Sequence, residues 1–203
     1  MIKTLIFDFG NVFINLDIEG AQQHAFNTFQ IDELSEEMIG FNSFYEQGLI
    51  STKEFLEFYA ENYPKLSQKQ LIDVWNFMLK DFPEYRLDFL KKIKSTSDYK
   101  LILLSNTNDL HINCIKKNIS FYEDFKNCFD AFYLSHEINL VKPNHNIFKF
   151  VLNENELKAE ECLFIDDNAA NISSANALNI HTWHIIPYTE DVVNLFKTKN
   201  NLF

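Results

Sequence analysis

Three carboxylates, a hydroxyl, an amide and an ammonium fall in this chain where chemistry on phosphorus would need them. Asp8 follows the apolar run Thr4-Leu5-Ile6-Phe7, and Asp166-Asp167 follows Cys162-Leu163-Phe164-Ile165. Runs of this kind read as buried strands of a parallel sheet, and open α/β sheets bind ligands at the carboxyl ends of their strands. Carboxylates gathered there repel one another unless a cation lies between them. Ser105-Asn106 ends a further run, Lys100-Leu101-Ile102-Leu103-Leu104. Lys142-Pro143 stands before Ile147, Phe148, Val151 and Leu152, which are spaced as one face of a helix, and proline suits a first helical turn.

Each part has a chemical use. An aspartate can attack phosphorus and split one difficult displacement into two easier ones. Mg2+ is a hard cation that takes oxygen ligands from one or two carboxylates, phosphate and water. A hydroxyl and an amide can hold phosphoryl oxygens, while a lysine neutralises charge that develops in the transition state. Singly, each residue also has a structural use: Asp8 as a turn residue, Asp166-Asp167 as a helix cap, Ser105 as a capping hydroxyl. Their occurrence together, each near a strand end, points to a divalent metal beside a nucleophilic aspartate.

The elements that must position these groups alternate strand and helix, with one interruption. Strands are expected at Thr4–Phe7, Lys100–Leu104, Ala131–Leu134, Cys162–Ile165 and near Thr182–Ile186, with helices between them. Such an order implies right-handed crossovers and a parallel sheet. The fold class is therefore α/β, a Rossmann-like three-layer core built from 1–14 and 85–203. The stretch 15–84 shows no strand-like alternation and reads as a helical cap inserted after strand one. Two capping boxes lie within it, Ser51-Thr52-Lys53-Glu54 and Ser67-Gln68-Lys69-Gln70, each a signature of a helix start.

Composition excludes several classes. The chain has 203 residues, of which 46% are hydrophobic and 21 are phenylalanine, enough for a packed core. A net charge of −11 argues against nucleic-acid and anionic-membrane partners, which require basic patches. No apolar stretch approaches the ~20 residues that cross a bilayer, and Asp8 interrupts any signal-like start. Cys114, Cys128 and Cys162 are odd in number and widely spaced, as expected of reduced thiols in a cytoplasmic protein. His181 and His184 are three apart on an expected strand and would diverge rather than share a metal. Phe41, Phe44, Tyr45, Phe55, Phe58 and Tyr59 are spaced as the core of the insertion.

The four strand-end signals, Phe7-Asp8-Phe9-Gly10-Asn11-Val12, Leu103-Leu104-Ser105-Asn106, Lys142-Pro143 and Phe164-Ile165-Asp166-Asp167, resemble the motifs of the haloacid dehalogenase-like hydrolases along essentially the whole chain. Leu104-Ser105-Asn106-Thr107-Asn108 and Asp166-Asp167-Asn168-Ala169-Ala170-Asn171 look like bacterial phosphatases of α-D-glucose 1-phosphate. The resemblance implies that Asp8 is the nucleophile and that Asp8, Asp167 and the Gly10 carbonyl hold Mg2+. It implies that Asp166 orients Lys142 or the metal waters, and that Phe9, Gly10, Ser105, Asn106 and Lys142 bind a small phosphorylated metabolite. Asn171 stands where many relatives place a further acid. Most phosphatases of this kind carry a second aspartate two residues after the nucleophile as general acid; here that position is Gly10. An acidic anomeric leaving group would lessen the need for such an acid, and Asp17 or water in a closed site is a candidate donor. Two rival readings stand: a metal-independent 2-haloacid dehalogenase, and a phosphate-binding regulatory protein without turnover.

Overall fold

The computed structural model describes residues 1–203. Five strands run β1 (Thr4–Phe7), β2 (Lys100–Ser105), β3 (Ala131–Leu134), β4 (Cys162–Asp166) and β5 (His181–His184). They form one sheet in the order β3-β2-β1-β4-β5, with every neighbouring pair parallel. Between β1 and β2 lie α1 (Ile18–Phe29), α2 (Glu36–Glu46), α3 (Thr52–Asn62), α4 (Gln68–Asn76) and α5 (Glu84–Thr96). Helices α6 (Asp109–Asn118) and α7 (Tyr122–Lys126) join β2 to β3, and α8 (Ser135–Ile138) and α9 (His145–Glu154) join β3 to β4. Helix α10 (Ala169–Asn176) joins β4 to β5, and α11 (Leu195–Thr198) follows.

Strand alternation makes three layers from this order. Side chains of a strand point to opposite faces in turn, so Leu5 and Phe7 of β1 enter one core with Leu101, Leu103, Leu163 and Ile165. Leu87, Leu90 and Ile93 of α5 and Ile112 and Ile115 of α6 cover that face. Ile6 enters the other core with Ile102, Leu104 and Phe164, covered by Ile147, Phe148 and Val151 of α9 and Ala175 of α10. β1 is buried along its whole length, and its middle place aligns the ends of β1, β2 and β4.

Helices α1 to α4 hold a separate apolar cluster in which every buried member but Leu110 falls within 25–74. Tyr45, Phe55, Phe58 and Tyr59 are buried there, whereas Phe44 is exposed. Both capping boxes form, at Ser51 with Glu54 and at Ser67 with Gln70. The two crossings between this cluster and the sheet run side by side: Asn15 N–H donates to Asp81 O at 2.9 Å and Asp17 N–H to Met78 O at 2.9 Å. Arg86 fastens the crossing to the core, donating from Nη1 to Phe13 O at 3.0 Å and from Nε to Asp191 Oδ2 at 3.2 Å.

Two local expectations are corrected. Pro143 is not in a first helical turn; it lies in the turn before α9, whose N-cap is Asn144. β5 spans His181–His184 rather than Thr182–Ile186. α1 carries only Ala25 and Phe29 as buried residues, too thin a stripe to stand out as periodicity.

Candidate active site

The carboxyl ends of β1, β2 and β4 bring the chemistry-bearing groups together. Asp8 N–H donates to Ile165 O at 2.9 Å, which continues the β1–β4 ladder and sets the Asp8 carboxylate beside the end of β4. Oxygens of Asp8, Asp166 and Asp167 all lie within 4.8 Å of one another. Lys142 Nζ reaches between two of them, 2.9 Å from Asp8 Oδ1 and 2.6 Å from Asp166 Oδ2. The lysine is 3% exposed, Asp8 8% and Asp166 0%, so water does little to screen these charges.

The three carboxylates are not equivalent. Asp166 is fully engaged, accepting Lys142 Nζ, Asn168 N–H at 2.7 Å and both oxygens' share of Asn171 Nδ2 at 3.0 and 3.1 Å. Its part is to hold the lysine. Asn171, where an acid was expected by resemblance, braces Asp166 as a neutral donor. Asp167 is half-buried and accepts only Asn11 Nδ2 at 2.8 Å. Asp8 Oδ1 touches the ammonium as an ion pair without hydrogen-bond alignment and is otherwise unpartnered.

The electrostatics follow from this inventory. Burial pushes the Asp8 carboxyl up to about 7, with Asp166 and Asp167 adding to the rise while Lys142 opposes it. Burial would lower Lys142, but Asp166 and Asp8 outweigh it and hold the ammonium above its ordinary value. Asp167 is raised by burial, against the Asn11 hydrogen bond. With all three carboxylates ionised, one ammonium leaves two negative charges uncompensated, the charge of one divalent cation. The free oxygens of Asp8 and Asp167 are hard ligands suited to Mg2+. No main-chain donor takes up the Gly10 carbonyl, so it too is available.

The remaining expected residues sort differently. Ser105 is buried, and its hydroxyl makes only a long 3.4 Å contact to Asn106 O. Phe9 directs its ring into the aromatic core, 5.1 Å from Phe125 between centroids, leaving only its main chain for a ligand. The N–H groups of Phe9 and Gly10 donate to no main-chain carbonyl. Asn106 was expected to hold the phosphoryl group, but its side chain grips Lys142. Its Oδ1 accepts Lys142 N–H at 2.9 Å and its Nδ2 donates to Lys142 O at 2.9 Å. Asp17 caps α1 through Gly20 N–H at 2.8 Å and lies 3.3 Å from Lys80. These contacts, the Gly20 hydrogen bond foremost, hold its carboxyl below the usual range, which is wrong for a proton donor.

Sequence reasoning missed Glu46. It ends α2, far from the strand motifs, and its Oε1 accepts Asn106 Nδ2 at 3.0 Å. No periodicity marks it; only the docking of α2 on the sheet brings it there.

A sequence model of haloacid dehalogenase-like hydrolases matches residues 2–179. The chain belongs to that family. A D-ribitol-5-phosphate phosphatase of Bacteroides thetaiotaomicron is 26% identical over 191 residues, 90% of this chain and 91% of that protein. A HAD family enzyme of the same organism, solved as a magnesium complex, superposes with a TM-score of 0.85 at 37% identity, covering 97% of this chain and 98% of that one. An L-2-haloacid dehalogenase of Xanthobacter autotrophicus superposes with a TM-score of 0.59 at 13% identity, covering 98% of this chain and 84% of that one; this shows a common fold and no more. No helix of the chain is long and apolar enough to cross a membrane.

Proposed function

We propose that this hydrolase is a magnesium-dependent phosphatase that acts on the phosphomonoester of a small sugar or sugar alcohol through an aspartyl-phosphate on Asp8. The observation that carries it is Asp8 itself, a buried carboxylate whose Oδ1 touches Lys142 and is otherwise unpartnered. Asp8, Asp167 and the Gly10 carbonyl would hold Mg2+, which supplies positive charge at the phosphoryl oxygens. Asp8 attacks phosphorus, and Lys142, the Ser105 hydroxyl and the N–H groups of Phe9 and Gly10 steady the charge that develops. Water then cleaves the aspartyl-phosphate and frees Asp8. The helical insertion 15–84 acts as the cap that covers the carboxyl end of the sheet and selects the alcohol.

The substrate reading departs from α-D-glucose 1-phosphate, which the strand-end sequences resemble. The curated relative named above is a D-ribitol-5-phosphate phosphatase, and a polyol phosphate of this kind loses a primary alcohol. We take a primary sugar or sugar-alcohol phosphate as the substrate class. Phosphate release should be measured on a panel holding ribitol 5-phosphate, other primary phosphates and α-D-glucose 1-phosphate, with and without Mg2+. Turnover that needs the metal and favours the primary esters is expected. Chloride release from 2-haloacids in EDTA, or tight phosphate binding with no turnover of any ester, would overturn the proposal.

A further inference from the structure

A primary alkoxide is a basic leaving group, so its departure calls for a proton, and positioned general acids contribute most in that case. Gly10 has no proton to give. Asp17 is held ionised by its cap and Lys80. The core carboxylates are committed as well: Asp166 to Lys142 and Asn171, Asp8 to phosphorus, Asp167 to the cation. One further carboxyl reaches Asn106, the residue that grips Lys142, and it comes from the insertion.

Glu46 is placed with care. Its main-chain carbonyl accepts Ser135 Oγ at 2.7 Å, and the same hydroxyl accepts Thr107 N–H at 2.9 Å beside Asn106. The next carbonyl, Gln47 O, accepts Asn139 Nδ2 at 2.8 Å. Gly48 follows at φ +67, where an added Cβ would lie 2.0 Å from His136 O, so α2 docks against α8 at a distance only glycine permits. This docking sets the Glu46 carboxyl 3.0 Å from the Asn106 amide that grips Lys142. Its second oxygen, Oε2, has no protein partner. The sheet side of the site is closed by buried Asp8, Lys142 and Asp166, so an alcohol bonded to phosphorus there must leave on the side of the insertion, where Glu46 stands.

Resting on the phosphatase reading above, we propose that Glu46 is the general acid that protonates the leaving alcohol. As an Asp8 oxygen bonds to phosphorus and the P–O bond to the alcohol breaks, the Glu46 proton passes to the departing oxygen. Water then cleaves the aspartyl-phosphate and frees Asp8, its proton leaving with the phosphate or to solvent, and Glu46 regains a proton from solvent before the next turnover. Burial holds the Glu46 carboxyl above its ordinary value, against Lys142 and the Asn106 hydrogen bond, and an incoming phosphate dianion adds to the rise. In the resting protein the same side chain steadies Asn106, so position and proton transfer share one residue.

Glu46→Gln keeps an oxygen for Asn106 Nδ2 and removes the acid. It should be assayed with Mg2+ on 4-nitrophenyl phosphate, whose leaving group needs no proton, and on ribitol 5-phosphate. The expected result is a loss of at least ~10²-fold in kcat on the alkyl ester with the aryl ester changed by less than about threefold. Turnover of the aryl ester is also the folding control. Glu46→Asp, one methylene short but still an acid, should recover part of the alkyl activity. Equal losses on both esters, or no loss on either, would overturn the proposal and leave Glu46 a latch of the insertion. Wild-type protein inactive on both esters would instead overturn the phosphatase reading, and the role of Glu46 with it.

Discussion

The sheet and the helical insertion contribute to one site by different physical means. On the sheet side, β-ladder register fixes each group: the Asp8 N–H to Ile165 O bond extends the pairing of Phe7 with Ile165. Ser105 ends the strand that pairs with β1 on its other side. On the insertion side, position comes from packing: α2 carries Glu46 to Asn106 because its carboxyl end is latched to Ser135 and Asn139. Aromatic contacts hold that helix to its neighbours, among them Tyr45 on Phe55 at 4.1 Å and Phe41 on Phe58 at 3.9 Å. Asp17 and Glu46 bring out the contrast within the insertion. One carboxyl is consumed as a helix cap and the other is left half-buried with a free oxygen, so nearness in sequence to the nucleophile counted for less than docking.

The comparison predicts that changes on the sheet side remove chemistry without removing the fold. Asp8→Asn is nearly isosteric but a far poorer nucleophile, and no other group replaces it. Turnover should fall at least ~10³-fold, with the thermal midpoint of the metal-free protein no lower than in wild type, since a buried charge is lost. Retained activity in an uncontaminated preparation would remove Asp8 from its role.

Changes on the insertion side should do the reverse. Phe55 is 2% exposed and packs on Tyr45, Tyr59 and Trp75. Phe55→Ala should cost about 3–5 kcal/mol of stability, as large-to-small changes in a packed core do. Urea unfolding read by tryptophan fluorescence would report it, since Trp75 lies in this cluster. The aspartyl-phosphate should still form in the fraction that remains folded. A variant with full stability would show that the insertion lacks a core of its own.

How legible each half was in the sequence follows from the same difference. Apolar runs ending in Asp8, Ser105 and Asp166 announce their strand and their ligand end at once, because a strand is local and its end is a fixed place in a parallel sheet. Lys142 is nearly as legible, although the proline beside it was assigned to the helix and lies in the turn before it. Asn106 was visible as a site residue but its partner was not: that it grips the backbone of Lys142, thirty-six residues on, is a tertiary fact. Glu46 carried no local signal at all, one acid among several on α2. α1 has no buried stripe to mark it in the sequence. What the sequence hides are the contacts that need two elements to dock.

Mg2+ should tie the two halves' stability to the site's charge. The crowded carboxylates destabilise the metal-free protein, and any ligand that binds only the folded state stabilises it by mass action. Magnesium at about 100 times its Kd should therefore add about 2.7 kcal/mol, read as a rise in thermal midpoint. The rise should shrink sharply in Asp167→Asn and persist in Phe55→Ala. An equal rise in wild type and Asp167→Asn would place the ion elsewhere.

The smallest effect concerns the seam between the halves. His111 of α6 lies 2.8 Å from Trp75 O of α4 through Nε2, and 3.3 Å from Asn108 Nδ2 through Nδ1. These partners require a neutral ring with its proton on Nε2, donating to the carbonyl, while Nδ1 accepts from the amide. Burial holds His111 below its ordinary value, with His136 adding to the effect and the Trp75 hydrogen bond opposing it. As pH falls through the ordinary value of 6.5, the unfolded chain takes up a proton that the folded chain refuses. The unfolded state then binds more protons, so stability is present above that pH and declines below it. His111→Gln, which can still donate to Trp75 O, should lose less stability than wild type between pH 7.5 and 5.5, a difference of up to about 1 kcal/mol. The comparison belongs to chemical unfolding of metal-free protein at both pH values, so that metal release at low pH does not enter. Parallel pH slopes for the two proteins would show that the seam does not sense acid through His111.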